Sequence, residues 1–190
     1  MTSARLARCV RLLISAAGML AVVTIAPILH AAQAWTVYLH HSGPLAIGMT
    51  VDDARKALGD PRAHLAFGEA DPDDAECSYL ESPQLPTGFT VIFQHGKLTR
   101  MDVWGKSDIR TASGAHIGEA EDQVVATYRR EGRVEVSPHP YLQPDGHFVE
   151  WHPRSATDAG LSLLFETMDG RVTSYRVGLV PAVAMIEGCS

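Results

Sequence analysis

Residues 47–60 read IGMTVDDARKALGD, and residues 117–128 read IGEAEDQVVATY. Ile-Gly, a short acidic start and an apolar helix are written twice, seventy residues apart. In the first copy Thr50 suits an N-cap, since its hydroxyl accepts a backbone N–H of the first turn. Asp53, three residues on, takes the capping-box position, and Asp52 and Asp53 complement the positive helix end. Val51, Ala54, Ala57 and Leu58 form one apolar stripe. Gly59 supplies a left-handed exit and Pro61 forbids continuation. In the second copy Val124, Val125 and Tyr128 form the stripe and Gly132 stands near the end.

Strand patterns surround both helices. Ahead of the first, residues 35–45 (WTVYLHHSGPL) read as a short strand through Val37 and Leu39, ended by Gly43-Pro44. After it come CSYLE (77–81) and the hairpin GFTVIFQHGKLTRMDVWG (88–105). Phe89, Val91 and Phe93 fall on one face, and Met101 and Val103 share a face on the returning strand. After the second helix come RVEVS (133–137), a Pro-rich link, HFVEW (147–151) and the hairpin 161–178, with Asp169-Gly170 as its turn. Leu161, Leu163 and Phe165 match Phe89, Val91 and Phe93 at an offset of 72, and Tyr175 and Val177 match Met101 and Val103 at 74. The expected fold is α+β: two helix-plus-antiparallel-hairpin repeats, 35–106 and 107–190, sharing one antiparallel sheet with helices on one face. A unit of this size buries little core alone, so two units joined in one sheet make physical sense.

Residues 1–34 read as a signal peptide. Arg5, Arg8 and Arg11 form a basic start, Leu12 to Leu29 is almost wholly apolar, and Ala32-Gln33-Ala34 offers two small residues flanking one larger. The alternative is a retained membrane anchor, since the stretch is long enough to span a bilayer. Removal leaves 13 basic against 22 acidic residues, a formal charge of −9, and no stable membrane span. That balance lacks the basic face that phosphate recognition needs, so nucleic acid is not an expected partner. Cys77 and Cys189 remain, an even pair in an exported chain, which reads as a disulfide. The expected location is periplasmic or secreted.

No metal site and no cofactor is expected. His40, His41, His139, His147 and His152 lack a His-x-x-x-His face or a zinc-type Cys/His spacing. The loop holding Glu69, Asp71, Asp73, Asp74 and Glu76 lacks the central Gly and distal Glu of an EF-hand, and reads as solvated. No Gly-x-Ser-x-Gly elbow, P-loop or Gly-x-Gly-x-x-Gly appears, and nothing in the sequence argues for an enzyme. The face away from the core is the candidate binding surface. If Met101 and Val103 point inward, Arg100, Asp102 and Trp104 point outward, and Ser174 and Arg176 do so on the matching strand. Arg and Trp are favoured interface anchors.

The stretch IGMTVDDARKALGDP (47–61) resembles the helix-opening motif of the small BamE-like (SmpA/OmlA) lipoproteins, and the hairpin 93–104 stands where that family has one. Tandem repetition of the unit also resembles the β-lactamase-inhibitor-protein fold. The resemblance implies non-catalytic, protein-binding envelope work. This chain departs from the lipoproteins by lacking a lipobox, because Cys9 lies inside the basic start. The expected function is therefore an exported, non-catalytic binding protein of the cell envelope that recognises a protein partner through Arg100, Asp102, Trp104 and Arg176. The alternatives are a lectin-like carbohydrate binder with Trp104 and Trp151 as stacking platforms, and an envelope hydrolase built on His and carboxylates.

Overall fold

The computed structural model describes residues 35–66 and 77–189. The expected signal segment and the acidic loop 69–76 lie outside the described residues. In chain order the elements are β1 (His41–Ser42), β2 (Leu45–Ala46), α1 (Val51–Leu58), β3 (His64–Ala66), β4 (Cys77–Glu81), β5 (Phe89–Gln94) and β6 (Lys97–Trp104). After them come α2 (Glu121–Glu131), β7 (Gly132–Pro138), β8 (Gly146–Pro153), β9 (Leu161–Met168), β10 (Arg171–Leu179) and α3 (Val180–Ala184). Among the described residues no helix is long and apolar enough to cross a membrane.

The Ile-Gly stretches act as clamps. Gly48 and Gly118 adopt φ of 88° and 87°, a left-handed backbone that costs glycine nothing. Gly48 N–H donates to Leu98 O (2.7 Å), and Leu98 N–H donates to Met49 O (2.9 Å). Gly118 N–H donates to Val172 O (2.8 Å), and Val172 N–H to Glu119 O (3.0 Å). Each helix start is thus pinned to the returning strand of a hairpin. Beyond the first clamp Thr50 Oγ1 accepts Asp53 N–H (3.2 Å) while Asp53 Oδ2 accepts Thr50 N–H (3.2 Å), the reciprocal capping box. Gly59 is left-handed at the other end of α1. Ala120 stands at the N-cap of α2, and its methyl group makes no capping bond.

Eight strands form one antiparallel sheet in the order β3-β4-β5-β6-β10-β9-β8-β7. The hairpins β5–β6 and β9–β10 turn at His95-Gly96 (φ 50° and 72°) and Asp169-Gly170 (φ 51° and 69°). Two successive positive φ angles match the right-handed strand twist, as in a type I′ turn. One sheet face carries Phe89, Val91, Phe93, Met101, Val103, Val149, Leu163, Phe165, Tyr175 and Val177 into a single apolar core. Ala54 of α1 and Val124 and Tyr128 of α2 complete that core. Each fully buried aromatic there, such as Phe93 or Phe165, stabilises the fold by roughly 1.5–3 kcal/mol through burial alone.

Three local features differ from the sequence reading. The strand expected through Val37 and Leu39 does not form: Val37 makes isolated bridges to Ser42 and Thr111, and the strand that Gly43-Pro44 ends is the two-residue β1, which this turn joins to β2. The short edge strand β3 pairs with β4 and has no alternation long enough to signal it. The helices do not all lie on one face. Leu179 starts a turn from β10 into α3, with a proline in its first turn, and this helix crosses the opposite face over β10, β9 and β6.

Candidate recognition face

The face away from the core carries the residues that strand alternation selects. Across the central pair, Arg176 stands opposite Asp102, Ser174 opposite Trp104, and Gly178 opposite Arg100. On β9, Glu166 and Leu164 stand opposite Ser174 and Arg176. On β8, Phe148 and Glu150 continue the same two rows. All four expected binding residues therefore share one face, but they do not share one environment.

Arg100 and Arg176 are not on open surface, which corrects the sequence expectation. They are 3% and 4% exposed, because α3 and the segment after it lie over them. Arg100 grips Asp102 with two parallel bonds, Nε to Oδ1 and Nη2 to Oδ2, both 2.6 Å. Its Nη1 donates to Ala182 O (3.0 Å) and to Met185 O. Arg176 Nε donates to Val183 O (2.6 Å), and its Nη1 pairs with Glu166 Oε1. Its guanidinium lies 5.6 Å from the centroid of the Phe148 ring. The two cations thus hold carbonyls around the end of α3, where the helix presents its negative pole. Cysteine chemistry completes the strap: Cys77 and Cys189 form a disulfide (S–S 2.08 Å), and Cys189 N–H donates to Tyr79 Oη (2.9 Å).

The strap leaves part of the face open. Trp104 is 54% exposed, yet its Nε1–H donates to Thr90 Oγ1 (2.8 Å), which fixes the ring. Beside it Asp102 and Glu166 turn partly to solvent, and Ser174 Oγ donates to Glu166 Oε2 (3.0 Å). Each carboxylate is neutralised from behind by its arginine, so the strip is polar and aromatic without a strong net charge. At its far side Tyr141 is exposed and its hydroxyl donates to Glu187 Oε1 (3.0 Å). That hydrogen bond and the Glu187 charge raise the Tyr141 pKa above the ordinary phenol value.

Trp151 is placed elsewhere. Its ring packs edge-on against Tyr128 at 5.5 Å on the core face, so it is no partner for Trp104. Parity along β8 holds this signal, since Trp151 shares a side with the buried Val149. Glu166 and Phe148 escape the sequence reading because β9 and β8 advertise their core residues more strongly than their outer ones. The C-terminal cover escapes it because Leu179, Val180, Ala182 and Val183 read as a continuation of the apolar strand.

The histidines are scattered. His147 meets Glu121 (3.0 Å), His40 meets Asp158 (3.2 Å) and His139 is buried against the Phe148 ring at 4.4 Å. Among the described residues no three His, Cys, Asp or Glu side chains gather to hold a metal. One open cavity of about 650 Å³ is lined by Arg62, His64, Glu81, Ser82 and Phe89 among others. There His64 and Glu81 approach to 3.5 Å, while Ser82 Oγ donates to Asp60 Oδ2 (2.7 Å). Compared with protein-family models, with curated proteins and with solved structures, the chain matches none.

Proposed function

We propose that this chain is an exported, non-catalytic binding protein of the cell envelope that recognises a protein partner through the open strip of its sheet. Trp104 is the anchor, Asp102 and Glu166 are the acceptors beside it, and Arg100 and Arg176 position those acceptors from beneath. The observation that carries this reading is the exposed yet hydrogen-bonded Trp104 ring next to two arginine-fixed carboxylates. A large aromatic held in one orientation loses little freedom on binding, which is how interface anchors gain affinity. Export is supported by the basic and apolar N-terminal stretch and by the Cys77–Cys189 disulfide, a bond that persists in oxidising compartments.

We also take the chain to be a tandem duplication, α1 to β6 and α2 to β10. The paired clamps support it: Gly48 on Leu98 and Gly118 on Val172, in the same bonding pattern. The central register supports it too, because Tyr175 pairs with Val103 and Val177 with Met101. Those pairs are what a twofold relation between matching residues requires. The resemblance to BamE-like and inhibitor-type repeats points to the same non-catalytic work.

The test is capture of envelope proteins by the wild type and by Trp104→Ala, with Tyr38→Ala as a control on an exposed aromatic of the N-terminal segment. Loss of a specific protein with Trp104→Ala alone supports the reading. Unchanged capture with Trp104→Ala sinks it. A glycan-array signal abolished by the same substitution, with no protein captured, replaces the partner with a carbohydrate, because a fixed Trp beside carboxylates also suits a sugar ring.

A further inference from the structure

We infer that β7 is a docking edge for a second copy of this chain, which pairs antiparallel with its own β7 about Val134. This goes beyond the strip around Trp104, since β7 closes the sheet at one end and the strip lies over its middle.

The backbone sets which groups are available. His139 N–H donates to Gly146 O at 2.9 Å. The same register continues without a break through Ser137↔Phe148, Glu135↔Glu150 and Arg133↔His152. In an antiparallel ladder, bonded and non-bonded pairs alternate, so the odd-numbered residues of β7 exchange bonds with β8. The even-numbered residues therefore direct their N–H and C=O groups outward. The prolines agree with this parity: Pro138 and Pro153, which lack N–H, both fall in even-row pairs. The N–H of Gly132 already donates to Tyr128 O at the end of α2. That leaves the N–H groups of Val134 and Val136 and the carbonyls of Gly132, Val134, Val136 and Pro138 facing away from the sheet.

The side chains select the occupant. Arg133 and Glu135 are exposed on the same side of β7 and pair with each other. When Val134 sits on a twofold axis, Val134 faces its counterpart, Arg133 faces the partner's Glu135, and Glu135 faces the partner's Arg133. Val134 N–H and C=O then exchange two bonds with the same groups of the copy. Val136 N–H reaches the carbonyl of the copy's Gly132, and the symmetric bond makes four in all. Shifting the axis by one residue in either direction sets Glu135 against Glu135 or Arg133 against Arg133, and like charges directly opposite are destabilising. An edge bearing opposite charges in this order rejects most strands and accepts its own. Val136, 44% exposed, gains cover in the same arrangement.

The experiment measures molecular mass by light scattering and sedimentation on protein expressed from the full sequence. The wild type is expected at twice the chain mass in the high-micromolar range, where a small strand-edge interface associates. Arg133→Glu and Glu135→Arg are each expected at one chain mass. An equimolar mixture of the two is expected to recover the doubled mass, because the only favourable pairing is then between unlike chains. Both substitutions lie on exposed positions, and circular dichroism establishes that each variant is folded. A wild type that stays at one chain mass overturns the proposal. So does a doubled mass that survives either single substitution, or a mixture that fails to associate.

Discussion

Replacing Arg100 with Ala separates an arginine held in a covered network from one waiting on an open surface. The substitution removes two bonds to Asp102 and the donors to the carbonyls of Ala182 and Met185. Breaking a buried ion pair by deleting one partner costs about 3–5 kcal/mol, because the other charge is left uncompensated. Asp102 keeps a fifth of its side-chain surface, so water recovers part of that loss. A cost of about 3 kcal/mol follows at the low end of that range. For a chain of this size it lowers the melting temperature by roughly 6–12 °C. An exposed arginine would change stability by no more than about 0.5 kcal/mol. Calorimetry with the disulfide intact in both proteins measures the difference, and faster amide exchange at 182–187 localises it to the strap. Arg100→Lys restores the charge but not the planar fork, and is expected to recover only part of the loss. A melting temperature within about 2 °C of wild type for Arg100→Ala would refute the clamp.

Other expectations come from separate parts of the fold. Cys77→Ser opens a loop spanning 112 residues, and chain entropy sets the loss at about 4–5 kcal/mol, read as a drop in denaturation midpoint that reductant reproduces in the wild type. Thr50→Ala breaks the capping box of α1 and costs about 1 kcal/mol, whereas Ala120→Ser supplies α2 with the hydroxyl it lacks and gains a similar amount; urea unfolding of both variants checks the opposite signs. Burial raises the Tyr128 phenol to about 12, and burial raises Tyr175 also. The folded chain keeps these protons while the unfolded chain releases them near the ordinary value of about 10. Their contribution is therefore full below pH ~10 and is lost as pH rises through the folded values. For Tyr128 that loss is about 2–3 kcal/mol, and Tyr128→Phe is expected to flatten the fall in stability over that interval.

Local chemistry wrote the parts of the fold that a few neighbouring residues decide. Thr50, Asp53, Gly59 and Asp169-Gly170 each carry a short-range bond or backbone angle, and each is legible from the residues beside it. Strand parity also places Arg100, Asp102, Trp104 and Arg176 on one face, since alternation is a local property. Exposure is not. Whether Arg100 meets water depends on carbonyls 82 and 85 residues further along, and no periodicity reaches that far. Trp151 shows the opposite failing: its residue type suggests a sugar platform, while its parity with Val149 already turns it toward the core. The edge strand β3, three residues long, offers too few positions for alternation to register at all.

The two buried arginines are more than ballast for stability. Apolar residues of similar volume would cover the same sheet at no desolvation cost, and such replacements are often neutral or stabilising. An apolar contact, however, tolerates sliding, whereas Arg100 and Arg176 donate to carbonyls at set points, Ala182, Val183 and Met185. Those bonds fix where the strap lies, and so where the open strip begins. The same arginines orient Asp102 and Glu166 beside Trp104. One pair of cations therefore sets both the cover and the uncovered surface.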